Sequence, residues 1–291
     1  MKSTFFIALF FHSITYAQKI SHTEYSYLNK KEDSLKKISV KILQDSSLDK
    51  RIVADSLFTK IFVRALKSNN SFYFPFDSLF SISRLYAPDS SFKIFTWQLM
   101  LNENNYIQHG AIQMNTKDGA LKLIPLFDKS DLIQDIETPI TTNLNWIGAI
   151  YYKISENEYQ GTKYYTLMGF DEYSQETNRK IIEVLHFENE YPVFGGDFFS
   201  LNENKSENKS ISRYVMEYKK NAGPRLNYDD ELKIIIKEHL ISETKESNKK
   251  STLIGEGEYD GFTWKDGKWI FLYDIFNTIK KENALTPPTK D

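Results

Sequence analysis

From Phe92 onward the chain is written as short apolar runs separated by turn-forming residues, a pattern that points to antiparallel β structure. Phe92–Leu101 and Tyr106–Met114 flank the turn formers Asn102-Glu103-Asn104-Asn105, and Asp118-Gly119 leads into Ala120–Phe127. Trp146–Ile154 and Lys163–Phe170 flank a polar connection containing Gly161. Lys180–Phe187, Ile211–Tyr218 and Leu232–Ile241 continue the series. Short strands at this spacing predict a meander arranged as a barrel, a sandwich or a propeller-like sheet. The aromatic content (18 Tyr, 21 Phe, 4 Trp) leans the same way. Glu231–Leu240 is ambiguous, because Ile234-Ile235-Ile236 suits a buried strand and a helix equally.

Upstream the period is helical. After the capping cluster Asp45-Ser46-Ser47, apolar residues recur at Leu48, Ile52, Ile61, Phe62, Ala65 and Leu66, with Phe58 between them. This predicts an amphipathic helix ending near Asn69-Asn70, and Leu35, Ile38, Ile42 and Leu43 predict a shorter antiparallel partner. The expected fold is α+β, mainly β. Residues 18–76 form a helical segment, 77–280 an antiparallel β-rich domain and 281–291 a flexible tail. Asn202–Ser210 and Ser242–Ser251 are polar, low in complexity and read as loops.

Residues 1–17 have the layout of a secretory signal peptide: Lys2, the apolar run Phe5–Phe11, and Thr15-Tyr16-Ala17 as a cleavage site. The run is too short to span a bilayer, which takes about 20 residues, and no later run is longer. Export to the periplasm, the cell surface or the medium is expected. The absence of cysteine excludes disulfides, thiolate metal sites, a cysteine nucleophile and a lipoprotein anchor. A formal net charge of −2, evenly mixed, argues against a nucleic-acid partner.

The most readable local structure is Tyr259–Tyr273, with Asp266-Gly267 as a two-residue hairpin turn. That register pairs Lys265 with Lys268, Trp264 with Trp269, Phe262 with Phe271 and Asp260 with Tyr273, so one face carries four aromatic rings. Leaving four large apolar side chains in water forfeits about 6–12 kcal/mol, comparable to the whole stability of a domain, which favours a buried face. The alternative is a sugar-stacking platform in which Glu256, Glu258 and Asp260 share the parity of Phe262 and Trp264. Glu258, Asp260, Trp264 and Trp269 are then the candidate binding residues. Gly255, Gly257 and Gly261 invite bulges that would break that alignment.

Other chemistry is sparsely signalled. His22, His109, His186 and His239 fit no metal-ligand spacing, so no metal is expected, and His109 and His186 read as ordinary strand residues. The G-x-S-x-G elbow and the phosphate- and dinucleotide-binding glycine patterns are absent, so no cofactor is expected. Phe194-Gly195-Gly196-Asp197-Phe198-Phe199 resembles the diguanylate cyclase signature but has Phe198 where that signature has an acid. Acids cluster at Asp171-Glu172, after a strand, and at Asp229-Asp230-Glu231. A glycosidase would need two of them at a fixed separation.

Phe92-Lys93-Ile94-Phe95-Thr96-Trp97, Lys163–Asp171, Lys180–Leu185 and Tyr259–Trp264 together resemble uncharacterised exported proteins of Bacteroidetes-type bacteria. The resemblance implies a Gram-negative envelope setting and transfers no catalytic residue. The leading expectation is a non-catalytic binding or scaffolding protein, with a glycan or another envelope protein as partner. The alternatives are a glycan-active hydrolase with paired carboxylates, separable by an acid-lined cleft, and a carbohydrate-binding module built on the hairpin face.

Overall fold

A computed structural model describes residues 20–102, 105–201 and 211–276. The leader, the 202–210 loop and the 281–291 tail lie outside the described residues. Two helices come first, α1 (His22–Gln44) and α2 (Leu48–Leu66). The first opens on an N-cap: Ser21 Oγ accepts the Glu24 N–H at 3.2 Å and its hydroxyl donates to the Glu24 carboxylate at 2.8 Å. The short connection Asp45–Ser47 turns α2 back against α1. Leu28, Leu35 and Ile42 of α1 and Ala54, Phe58, Phe62 and Ala65 of α2 are buried. Leu48 and Ile52, read in sequence as part of that stripe, are exposed, and α2 stops at Leu66. The first turn instead buries Arg51, whose Nε donates to the Met100 carbonyl at 3.0 Å, so the buried stripe runs through Arg51, Ala54 and Phe58 and leaves Leu48 and Ile52 outside it.

Among the described residues the strands form three sheets, none closed into a barrel. The first is the meander β1 (Ser83–Tyr86), β2 (Phe92–Asn102), β3 (Asn105–Met114) and β4 (Lys122–Phe127). The second contains the meander β6 (Ile150–Tyr159), β7 (Thr162–Asp171), β8 (Thr177–Glu188) and β9 (Tyr191–Phe194), with β5 (Thr141–Thr142) beside β9 and β11 (Arg213–Lys219) beside β8. The third is β12 (Leu226–Asp229), β13 (Ile234–Ser242), β14 (Leu253–Lys265) and β15 (Lys268–Leu272), with β10 (Phe199–Ser200) parallel to β15.

Three apolar cores stack these layers. Phe95, Trp97 and Leu99, alternate residues of β2, meet the helices. Phe92 and Ile94 on its other face meet Tyr151, Leu167 and Ile181 of the second sheet. Met168, Ile182 and Val184 on the far side of that sheet meet Tyr228, Ile235, Phe262 and Trp269 of the third. Sheets covered on both faces explain why β2 is buried without a break from Phe92 to Trp97 and β8 from Ile181 to Leu185. The same stacking makes Ile234-Ile235-Ile236 a strand: Ile235 points to the second sheet, while Ile234 and Ile236 pack outward with Ile275. The strand after the 128–149 connection begins at Ile150, later than Trp146, and Trp146 is instead a core plug whose indole donates to Tyr151 Oη at 2.7 Å. Beneath it lies a dry ion pair, Arg213–Glu183, with both side chains fully buried.

Candidate functional site

At one end of the contact between the first two sheets, a cleft of about 710 Å³ lies between β3–β4 and β7–β8. Asp128, directly after β4, anchors its wall. Its Oδ2 accepts the Gln108 N–H at 3.0 Å, and its Oδ1 accepts the N–H groups of Ser130 at 2.9 Å and Gly148 at 3.2 Å, with the Ser130 hydroxyl as a further donor. Gly148 runs so close that a Cβ there would lie 2.4 Å from Gln108 Cβ and 2.5 Å from Asp128 Oδ2. Only glycine fits without displacing the wall.

Gln108 crosses from the first sheet to the second. Its Nε2 is 3.4 Å from both Asp171 Oδ1 and Gln98 Oε1. Its Oε1 is buried and has no donor among the described residues, a costly state for a polar atom. Asp171, the last residue of β7, has its carboxyl pushed up to about 7, chiefly by burial; Asp128 and Asp131 add to the rise, and Arg179 and the Gln108 hydrogen bond oppose it. Glu172 is held by Gln98 Nε2 at 3.1 Å and Lys220 Nζ at 3.2 Å. Tyr173 supplies an aromatic wall: the Arg179 guanidinium carbon sits 3.1 Å from its ring centroid, and Arg179 Nε donates to Glu217 at 3.0 Å. The turn beyond is braced by Ser174 Oγ, which accepts the Thr177 N–H at 2.9 Å. The Tyr173 ring carries the Arg179 guanidinium over it and is otherwise exposed.

The residues singled out in sequence lie elsewhere. The hairpin has the expected turn, with Asp266 at φ +51° and Gly267 at +80°, and the expected register from Lys265–Lys268 to Phe262–Phe271. Its aromatic face packs on the second sheet. Trp269 is fully buried and its indole donates to Thr166 Oγ1 on β7 at 2.9 Å. Trp264 is half-buried, its ring centroid 5.3 Å from that of Trp269 and 5.9 Å from that of Tyr164. Asp260 pairs with Lys237 at 3.2 Å directly across the ladder. Its Oδ1 accepts the Asp274 N–H, and β15 ends at Leu272, before the expected partner Tyr273. Glu258 is exposed within a bulge of β14, beside His239 and Glu256. The four candidates thus form no single surface. His109 is a joint between layers, stacked on Trp97 and 3.2 Å from Asp55 of α2, which also accepts the Trp97 indole N–H at 2.9 Å.

Of the cleft residues, only the Asp171-Glu172 pair carried a sequence signal; Gln108, Asp128, Tyr173 and Arg179 carried none. No protein-family model matches the chain, and no curated protein or solved structure shows significant similarity to it.

Proposed function

We propose that this chain is an exported binding protein of the cell envelope that holds a polyhydroxylated ligand, a glycan segment, in the cleft between its first two sheets. The observation that carries the reading is the lining of the cleft, where the Gln108 amide, the Asp131, Asp171 and Glu172 carboxylates and the Tyr173 ring border one polar space of about 710 Å³. Sugar hydroxyls donate to acceptors of this kind, and the apolar face of a sugar can rest on a ring such as Tyr173. Carboxylates at Asp171, Glu172 and Asp131 add acceptors and disfavour anionic ligands. The leader pattern supports the exported setting.

Binding is favoured over hydrolysis by the state of the acids. Asp128 is already engaged by four donors, which leaves it poorly suited to act as nucleophile or base. Glu172 is tied to Gln98 and Lys220. Asp171 alone is held near neutrality in a way that suits proton donation, and Asp131 is the remaining cleft carboxylate that a glycosidase would need as its second acid, so the assay below tests hydrolysis directly.

The test is an array of bacterial envelope glycans probed with the full chain, followed by Gln108→Leu and Tyr173→Ala. Retention of neutral or amino-sugar glycans that both variants weaken supports the reading. No retention above background overturns it. Release of reducing ends that disappears in Asp171→Asn replaces binding with hydrolysis.

A further inference from the structure

At the end of the third sheet remote from its hairpin turn, the β13–β14 ladder shifts register. Glu238 faces Tyr259 and Leu240 faces Gly255, so Glu256, Gly257 and Glu258 all stand opposite His239 alone. Such a bulge bends the strand and re-aims its side chains. It is pinned from beneath by Glu238, whose Oε1 accepts the Gly257 N–H at 3.1 Å and whose Oε2 accepts the Arg225 N–H at 2.7 Å. Gly257 has φ +87°, a conformation open to glycine at little cost. The consequence is convergence: one ring nitrogen of His239 and one carboxylate oxygen from each of Glu256 and Glu258 lie within 4.8 Å of one another. His239 and Glu256 are already in direct contact.

We propose that His239, Glu256 and Glu258 form a binding site for a divalent transition-metal cation of the zinc type. Donors that each sit about 2.0–2.2 Å from a cation can be no more than about 4.4 Å apart, so exposed side chains need only small rotations to close on it. One imidazole nitrogen with two carboxylate oxygens is a set that zinc accepts, whereas calcium and magnesium prefer oxygen alone. Three protein donors leave positions for water. Sequence spacing concealed the set because the histidine and the glutamates come from different strands, and only the bulge aligns them. The site is independent of the cleft: it uses none of its residues and belongs to another sheet.

The plain alternative is a surface ion pair between His239 and Glu256, in which Glu258 has no part. Calorimetric titration of the full chain with zinc chloride separates the two. The expected result is saturable uptake of one equivalent, weakened about tenfold or more in His239→Ala and in Glu258→Gln, with circular dichroism of the metal-free variants unchanged. Cobalt substitution should give a visible absorption band that is lost in both variants. Uptake unaffected by either substitution would assign the metal to other groups and overturn the proposal, as would no saturable uptake. Loss in His239→Ala but full retention in Glu258→Gln would also overturn the three-donor site.

Discussion

Replacing Lys93 with methionine tests how the first sheet meets its surroundings. Lys93 is fully buried in β2, its Nζ donating to the Phe74 carbonyl at 2.6 Å and lying 4.2 Å from the Tyr86 ring centroid. Burial pulls its ammonium down from the ordinary lysine value to about 7; Asp77 opposes that fall and Arg84 adds to it. In the unfolded chain the group titrates near 10.4, so between about 7 and 10 the unfolded state binds more protons than the folded one. Stability therefore rises with pH across that window and is lost as the pH falls toward 7. Integrating the difference from pH 7.5 to 9.5 gives about 2.5 kcal/mol for this one group. Lys93→Met keeps the length of the side chain and removes the titration. Urea unfolding of both proteins at those two pH values is the assay. The midpoint of the parent should rise relative to the variant by about 1 M. Parallel behaviour of the two proteins would refute the reasoning, showing that the Phe74 carbonyl and the surrounding rings hold the ammonium charged.

Arg213→Met alone strands the Glu183 carboxylate in a dry core and should cost about 3–5 kcal/mol, while Glu183→Gln with Arg213→Met should recover much of the loss. Chemical denaturation checks this, and equal loss in the single and double variants refutes it. Trp269→Ala should destabilise by about 3–5 kcal/mol, seen as a lowered Tm, because it opens a void between the second and third sheets and removes the bond to Thr166. A soluble variant with unchanged Tm would show that the face is not core. For Asp171 the raised carboxyl means that the folded state holds the extra proton between about pH 4 and 7, so its contribution to stability falls as pH rises through that range. Asp171→Asn should flatten that decline and add about 1–2 kcal/mol at pH 8, a figure reduced for the part of the group that still meets water. A pH–stability profile identical to the parent's counts against it.

Local chemistry made much of the architecture legible. Turn residues with positive φ at Asp266-Gly267 set the hairpin register, and the Asp45-Ser46-Ser47 cluster marked the start of α2 at Leu48. The alternation from Phe92 onward marked out most of the strands, because each needs only its neighbours to declare its period. The weak strands β1, β9 and β12 passed unread, since four-residue segments carry too little pattern and owe their conformation to longer partners.

The order of helices and strands is thus a property of the chain itself, written in capping residues, turn dipeptides and apolar period. Which sheet lies on which, and therefore whether Trp269 is a platform or a plug, was settled by three-dimensional packing. The cleft and the His239 cluster follow the same rule. Gln108 and Asp171 are 63 residues apart, and His239 and Glu256 are 17 apart, so no local signal ties the members of either group together. Such groups exist only once backbone pairing and sheet stacking bring distant side chains within hydrogen-bonding or coordinating range.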